Sequence, residues 1–403
     1  MSERFDLVLR SSRVHRPGAA PSPAAIGIRH GLIAAIEPVD VVLEADLDET
    51  LPADTDLIPG IVDTHVHVNE PGRTDWEGFA SATAAAAVGG VTTIIDMPLN
   101  SIPPTTTPEA LALKRAAAGP QAAVDVGFWG GAIPSSLGHL RELHDTGVFG
   151  FKCFLSPSGV DEFPHLSTEQ LQQALVELAG FGGLLIVHAE DPAELREHAV
   201  DGRGYDAFVA SRPDASETSA IETVIAALRA APGARAHILH LSSAAALPAI
   251  RAAKAEGLPL SVETCPHYLV FDAERIPDGG TAFKCCPPIR SEANRDLLWA
   301  ALADGTIDFV ASDHSPATAA LKLAGDGDFG VAWGGISGLQ LAFTAVFTEA
   351  RRRGHTLDEV LGWMSTATAA FAGLDDRGSI RIGARADLVA FAPDRAFAVD
   401  AAT

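Results

Sequence analysis

Two histidines, His65 and His67, stand two positions apart at the end of the apolar run Ile58–His67. In an extended strand, residues i and i+2 project from the same face, so both imidazoles would point towards one place. Imidazole nitrogen is a common ligand of zinc and related divalent ions. The spacing therefore indicates part of a metal site, and it predicts that other strand ends supply the remaining ligands.

Side chains of ligand type also stand at the ends of four further β-rich runs. A lone histidine at a strand end is more often a packed, hydrogen-bonded residue than a ligand. Four histidines, one lysine and one aspartate over five strand ends are an arrangement that unrelated packing needs rarely produce. The candidate ligands are His65, His67, Lys152, His188, His240 and Asp313.

Lys152 needs its own explanation, because an ammonium group repels divalent cations. The simpler interpretation is a lysine whose stem lies along apolar surface while its amine reaches solvent. Among the aromatic and apolar neighbours of Phe151–Phe154, however, the pKa of the amine falls. A neutral amine can take up carbon dioxide and become an anionic carbamate, so that Lys152 would be N6-carboxylysine and could bridge two metal ions.

The elements that must position these residues alternate between strand and helix from residue 57 onward. Such alternation predicts a parallel sheet, and eight units favour a closed (β/α)8 TIM barrel, whose catalytic groups lie at the C-terminal strand ends. An open doubly wound sheet is the alternative, although no G-x-G-x-x-G follows the first strand. The eight β-rich runs are Leu57–Val66, Val91–Met97, Val124–Trp129, Val148–Leu155, Leu184–His188, Ala236–Leu241, Leu260–Thr264 and Ile307–Asp313.

The two ends of the chain are β-like. Residues 1–56 contain short apolar or alternating runs and a Pro/Ala-rich stretch, Pro17–Pro23, that is typical of a loop. Residues 371–403 return to strand-like patterns. We expect both segments to form one small β-sandwich module beside the barrel of residues 57–370.

Composition excludes several classes of function. The formal net charge of -23 argues against binding to nucleic acid or to an anionic membrane surface. Four cysteines, two of them adjacent, do not look like a disulfide framework and fit a reduced, cytoplasmic setting. We find no signal-peptide pattern and no apolar run long enough to span a membrane.

Longer motifs lie in order over nearly the whole chain. They are Gly60–His67, His67–Gly78, Asp96–Ser101, Phe151–Phe154, Glu263–Tyr268, Lys284–Arg290 and Ala332–Gly338. On these segments the chain resembles the cyclic amidohydrolases of the amidohydrolase superfamily, and within that group it is most similar to the allantoinases. Related chains continue further with additional strands, so the C-terminal part of the small module is expected to be incomplete.

The resemblance implies a binuclear metal centre. One ion would be held by His65, His67 and Asp313. The other would be held by His188 and His240, and the carboxylated lysine would bridge the ions together with a hydroxide. Zinc is the expected metal, with cobalt, manganese and iron as alternatives.

The activity implied is hydrolysis of a cyclic amide. Two cations make a bridging water acidic enough to ionise near neutral pH and polarise the ring carbonyl. Asp313 would take the proton of the nucleophile and deliver it to the leaving ring nitrogen. For the allantoinases this reaction opens the hydantoin ring of allantoin to allantoate in purine catabolism, and a homotetramer is the expected assembly.

Two local differences bear on the substrate. Dihydroorotases usually carry Arg two places after the second histidine to bind the substrate carboxylate, whereas this chain has Asn69. An amide suits an uncharged ureido ring, although Asn69 could equally be a turn residue. Hydantoinases and dihydropyrimidinases tend to carry Tyr soon after the bridging lysine, but Leu155–Asp161 has none. An aromatic contact to a hydrophobic ring substituent is therefore expected to be absent.

Further substrate contacts are expected from Asn100, the backbone at Cys286, Ser315 and Gly335. For Asn100, Ser315 and Gly335, a turn or a helix cap is the alternative interpretation.

Three rival functions stay open at this stage. A dihydropyrimidinase or hydantoinase and a dihydroorotase belong to the same family. The third is a non-enzymatic, scaffold-like relative. Such relatives usually lose ligands, whereas this chain keeps all six.

Overall fold

The structure is a computed structural model that describes residues 4–196 and 202–400. It divides into two compact units. Residues up to Val62 and those from His355 onward form the terminal unit, and Asp63–Gly354 form the barrel unit. The domain boundaries predicted after residues 56 and 370 stay predictions.

The described strands follow the alternation read from the sequence. They are β1 Phe5–Arg16, β2 Ala19–Arg29, β3 Leu32–Glu37, β4 Ala45–Thr50, β5 Asp56–Pro59, β6 Ile61–Val66, β7 Val91–Asp96, β8 Asp125–Phe128, β9 Gly130–Gly131, β10 Phe151–Phe154, β11 Leu184–His188, β12 Arg235–Ile238, β13 Leu260–Thr264, β14 Phe309–Val310 and β15 Leu388–Phe391.

Helices separate most of these strands. They are α1 Phe79–Val88, α2 Pro108–Ala118, α3 Leu140–His144, α4 Thr168–Ala179, α5 Tyr205–Ser211, α6 Asp214–Arg229, α7 Leu247–Ala255, α8 Pro266–Val270, α9 Glu292–Ala303, α10 Ala319–Lys322, α11 Ala342–Arg352, α12 Leu357–Leu361 and α13 Ala367–Phe371. Over the described ranges, no helix combines the length and the apolar character that crossing a membrane requires.

The predicted (β/α)8 barrel is confirmed. Strands β6, β7 and β8 pair in that order, and β9 to β14 form a second parallel series in chain order. Only Trp129 separates β8 from β9. A parallel bridge between Val66 and His314 joins the end of the eighth strand to the first. The carboxyl ends of all eight strand positions therefore meet at one end of the barrel.

The small β module drawn from both termini is also confirmed. In the terminal unit, the strands lie in the order β15-β5-β1-β2-β3, and β4 pairs with β1. The C-terminal strand β15 runs antiparallel to β5. The hydrophobic core of the terminal unit is formed by Val14, Ala24, Ile26, Ile28, Ile33, Leu57, Ile380 and Ala384.

Two predicted segments differ from the structure. Leu57–Val66 is predicted as one strand, but at Gly60 it divides into β5 of the terminal sheet and β6 of the barrel. Both strands are buried throughout, so hydrophobicity alone could not show the division. Within Pro17–Pro23 only Pro17 and Gly18 form a turn, and Ala19 to Pro23 belong to β2.

Helix α4 illustrates how the sequence specifies the barrel's outer layer. Ser167 caps its start, and Gln170 completes the reciprocal capping box. Leu171, Ala174, Leu175 and Leu178 recur at the helical period, and all four are buried.

A buried ion pair supports the backbone beside the histidine pair. Lys114 of α2 and Asp96 at the end of β7 lie 2.5 Å apart, and both side chains are almost wholly buried. Asp96 Oδ1 accepts the backbone N–H of Val68 at 2.8 Å, and Lys114 donates to the carbonyl of Met97 at 2.7 Å. The pair therefore ties the segment after His67 to the next strand.

We expect Lys114→Met to lower the free energy of unfolding by about 3 kcal/mol or more, because it leaves the Asp96 carboxylate buried without its counter-ion. The matched control is Arg229→Met, which breaks the half-exposed Arg229–Glu256 pair and should change stability little. Urea denaturation of both variants measures the difference. Equal losses would contradict a supporting role for the buried pair.

Candidate active site at the carboxyl ends of the barrel strands

The structure brings the six candidate ligand residues together. They come from five barrel strands, β6, β10, β11, β12 and β14: Lys152 lies within β10, and the other five lie at or just beyond a strand end. All six side chains are buried: His65, His67, Lys152, His188, His240 and Asp313. Their role as metal ligands stays a prediction, but their convergence is a property of the fold.

One half of the site contains four of these groups. Asp313 Oδ1 lies 3.0 Å from His65 Nε2 and 3.7 Å from His67 Nε2. Lys152 Nζ lies 3.5 Å and 3.4 Å from the same two nitrogens. The two histidines and the aspartate form a group whose ligand atoms one ion could reach.

The other half consists of His188 and His240. His188 Nδ1 and His240 Nε2 face each other at 2.9 Å, and the ring of Phe154 stacks on His188. The ring of His240 lies 5.5 Å from that of His65, so the halves adjoin. Nδ1 of His240 is buried and has no hydrogen-bond partner among the described residues.

Two of the six residues have unusual backbone conformations. His240 has φ +37° and Asp313 has φ +47°, both in the left-handed region that residues other than glycine rarely adopt. Such conformations persist only where surrounding structure stabilises them, and they cluster at functional sites. They turn both side chains into the barrel end just after β12 and β14.

The electrostatics favour a bound cation. Burial lowers the pKa of Lys152 to about 8 and also lowers the pKa values of His67 and His240. Burial disfavours an ionised Asp313, but the adjacent His65 outweighs it and holds the carboxyl pKa well below its usual range. Neutral imidazoles beside an ionised carboxylate, with one imidazole nitrogen unpartnered, are a donor set that fits a divalent metal ion.

Two carboxylates that the sequence analysis gave no role orient these ligands. Glu263 of β13 accepts from His65 Nδ1 at 2.5 Å, and Glu190 lies 2.7 Å from His188 Nε2. Burial alone would raise the pKa of Glu263, but His65 and His237 lower it to about 2. The available signals are the His188-x-Glu190 spacing and a charged residue inside a predicted barrel strand, Leu260–Thr264.

A cavity of about 410 Å³ opens onto the site. Five of the six candidate ligands line it, all except His65. Its volume lies in the range of small-molecule sites. Four aromatic residues also line it: Phe154, Phe208, Phe329 and Trp333. These rings come from segments other than Leu155–Asp161, which supplies no aromatic residue to the lining.

The predicted substrate contacts divide into two groups. Asn100, Cys286, Ser315 and Gly335 line the cavity. Asn69 does not belong to its lining; it is fully buried and accepts from Asn100 Nδ2 at 3.2 Å. A direct contact between Asn69 and a substrate stays a prediction.

Backbone contacts build one wall of this cavity. Lys322 of α10 donates to the carbonyl oxygens of Lys284, Trp333 and Gly335 at 2.7, 3.2 and 2.5 Å. Gly335 has φ +109°, and a Cβ there would lie 2.3 Å from the carbonyl oxygen of Ser315. Only glycine fits this position without displacing the wall.

We expect Gly335→Ala to lower the midpoint of thermal unfolding, since the backbone conformation alone costs roughly 1–3 kcal/mol for a residue with a Cβ. Gly338→Ala is the matched control, because a Cβ at Gly338 meets nothing within 4 Å. Differential scanning calorimetry measures the midpoint of thermal unfolding of both variants. A Gly335→Ala protein as stable as the control would show that the wall can adjust.

Comparison with known proteins agrees with this geometry. Residues 57–402 match the sequence profile described as "Amidohydrolase family". A protein of Streptomyces avermitilis named "Allantoinase" is 57% identical over 98% of this chain and 88% of its own length. The "Allantoinase" of Saccharomyces cerevisiae is 48% identical over 83% of this chain and 73% of its own.

A solved structure shows the same fold. The L-hydantoinase (dihydropyrimidinase) of Arthrobacter aurescens superposes with a TM-score of 0.89 at 30% sequence identity, covering 95% of this chain and 86% of that one. Profile, relatives and fold agree, and the chain belongs to the amidohydrolase family.

Proposed function

We propose that this protein is a metal-dependent hydrolase that opens the hydantoin ring of allantoin to give allantoate. The observation that carries the proposal is the set of six buried groups that meet at one end of the barrel, five of which line a small-molecule cavity. Relatives named as allantoinases at 57% and 48% identity support the choice of substrate. The family relation makes the chain a hydrolase, and the cavity volume suits a ring the size of allantoin.

The two halves of the site are the proposed positions of two divalent ions, zinc being our choice. His65, His67 and Asp313 would hold one, and their ligand atoms already lie close together. His188 and His240 would hold the other. When bound, such ions lower the pKa of a coordinated water and polarise a carbonyl group.

Lys152 would link the two positions as a carbamate. Its amine lies between Nε2 of His65 and Nε2 of His67, and burial brings its pKa to about 8, so a substantial fraction is neutral near that pH. The neutral nitrogen adds to the carbon of carbon dioxide and loses one proton, which leaves an anion. That change replaces a buried cation, which repels metal ions, by two ligand oxygens.

Asp313 is the proposed acid and base of the reaction. Its carboxylate lines the cavity and is held ionised by His65, so it can accept a proton from the attacking water. The oxygen of that water bonds to the ring carbonyl carbon, and the C–N bond of the ring breaks. Asp313 then delivers the proton to the departing nitrogen, and one water has been added across the bond.

Hydrolysis of hydantoins or dihydropyrimidines is the second candidate. Two observations favour it: the fold shared with the L-hydantoinase and the four aromatic residues in the cavity wall. Aromatic rings suit an apolar ring substituent. A dihydroorotate substrate is less well supported, because Asn69 stands where a carboxylate-binding arginine would be expected.

We also propose a homotetramer in the cytoplasm. None of the four cysteines, all within the described ranges, forms a disulfide, which suits a reducing compartment. The assembly state rests on resemblance alone.

We expect the zinc-loaded protein to show its highest kcat/KM on allantoin when allantoin, hydantoin, dihydrouracil and dihydroorotate are assayed side by side. Chelation should abolish the activity and added zinc should restore it, since the ions ionise the water. A highest kcat/KM on hydantoin or dihydrouracil would favour the second candidate. Dihydroorotate as the best substrate, or full activity after verified metal removal, would refute the proposal.

Asp313→Asn should lower kcat by about 10²–10⁴-fold, because an amide cannot accept the proton of the nucleophile. The matched control, Ser315→Ala, alters the same cavity and should keep most of kcat. Metal content is measured in parallel at saturating zinc, so that a missing base is separated from a missing ion. An Asp313→Asn enzyme with near-normal kcat would assign the proton transfer to another group.

A further inference from the structure

Glu263 is a buried carboxylate to which the proposed reaction gives no part. Glu263 lies on β13, is 1% exposed, and faces the interior of the barrel end. A charge buried this completely is costly unless its oxygens are well satisfied. Its hydrogen-bond partners therefore indicate its purpose.

The first oxygen of Glu263 contacts both halves of the site. Oε1 lies 2.5 Å from His65 Nδ1 and accepts the backbone N–H of His240 at 3.3 Å. The second oxygen, Oε2, lies 3.2 Å from His237 Nε2. Glu263 thus contacts one residue of each proposed metal position.

These contacts orient the two ligands in different ways. Because Glu263 accepts the proton of His65 Nδ1, Nε2, which faces Asp313 and Lys152, is the ring nitrogen that would bind a metal ion in place of its own proton. At His240 the contact is to the backbone, where φ is +37° and the chain needs a nearby acceptor to hold that conformation. The next residue, Leu241, also donates its N–H to the carbonyl oxygen of Glu263 at 2.8 Å.

Glu190 provides a natural comparison. Its carboxylate contacts His188 at 2.7 Å and Arg212 at 2.6 Å. Within the described part of the chain, His188 is the one candidate ligand that hydrogen-bonds Glu190. A carboxylate that supports one ligand and a carboxylate that supports two should differ in what their loss does to metal binding.

We propose that Glu263 is a positioning residue that couples the two metal positions, orienting His65 through its imidazole and His240 through its backbone. The proposal rests on the proposed function, because it takes the division of the ligands between two ions from there. It goes beyond that function by assigning a residue on which both ions depend at once.

The test measures metal content and not turnover. Purified wild-type protein, Glu263→Gln and Glu190→Gln are loaded with zinc and dialysed against a graded series of chelator concentrations, and zinc per chain is determined by elemental analysis. Loss of a carboxylate that hydrogen-bonds a metal ligand weakens metal binding by roughly 10-fold to 100-fold. We expect Glu263→Gln to release both ions together at lower chelator than wild type, and Glu190→Gln to release one ion early while it keeps the other.

His237→Gln is the matched control for burial. It alters the contact to Oε2 and leaves the contacts of Oε1 to His65 and His240 in place. We expect this variant to retain both ions as wild type does. Cobalt-loaded samples add a spectroscopic check, because the visible absorption of Co²⁺ changes with ligand geometry and a merely destabilised fold leaves it unaltered.

Two results would overturn the coupling. In the first, Glu263→Gln holds both ions as tightly as wild type; in the second, it loses one ion and keeps the other unchanged. If Glu263→Gln does not fold, Glu263→Asp decides by the same measurement, since it keeps the charge but is one methylene too short to reach both partners. A wild-type protein that binds no zinc would refute the proposed function instead, so the two failures are distinguishable.

Discussion

The contact between Asp313 and His65 is the interaction on which the rest of the site depends. A carboxylate buried at the end of a barrel is costly unless a positive or hydrogen-bonding partner lies beside it. His65 provides that partner at 3.0 Å, and Glu263 in turn accepts from the far side of the same imidazole. Asp313, His65 and Glu263 thus satisfy one another in a row, and the barrel strands must hold the three side chains in that arrangement.

The sequence identified most of this arrangement, for a physical reason. Parallel strands of a barrel bring their carboxyl ends together, so histidines at the ends of distant runs had to meet once the eight runs were recognised. The role of Glu263 is not visible in the sequence, because a single carboxylate within a strand has no spacing signal. The division at Gly60 is not visible in the sequence because both strands, β5 of the terminal sheet and β6 of the barrel, are buried throughout.

Residues of the cavity wall were harder to predict than the ligands. Asn69 was placed by analogy of position, but the chain turns after His67 and buries its side chain behind Asn100. Phe208 and Phe329 reach the cavity from segments that no periodicity connects with the site. Ligand positions follow from strand topology, whereas wall positions follow from loop conformations that depend on many weak contacts.

Lys322 has a consequence for how such a wall can change over evolutionary time. Its amine donates to the carbonyl oxygens of Lys284, Trp333 and Gly335, and within the described ranges it hydrogen-bonds no side chain. Every amino acid carries a backbone carbonyl, so these hydrogen bonds do not depend on which side chains stand at positions 284 and 333. Mutation can therefore exchange the chemical surface offered to a ring substituent while the wall keeps its shape. The side chain of Lys322 can therefore preserve the backbone conformation of the wall while substitutions change the side chains that line the cavity.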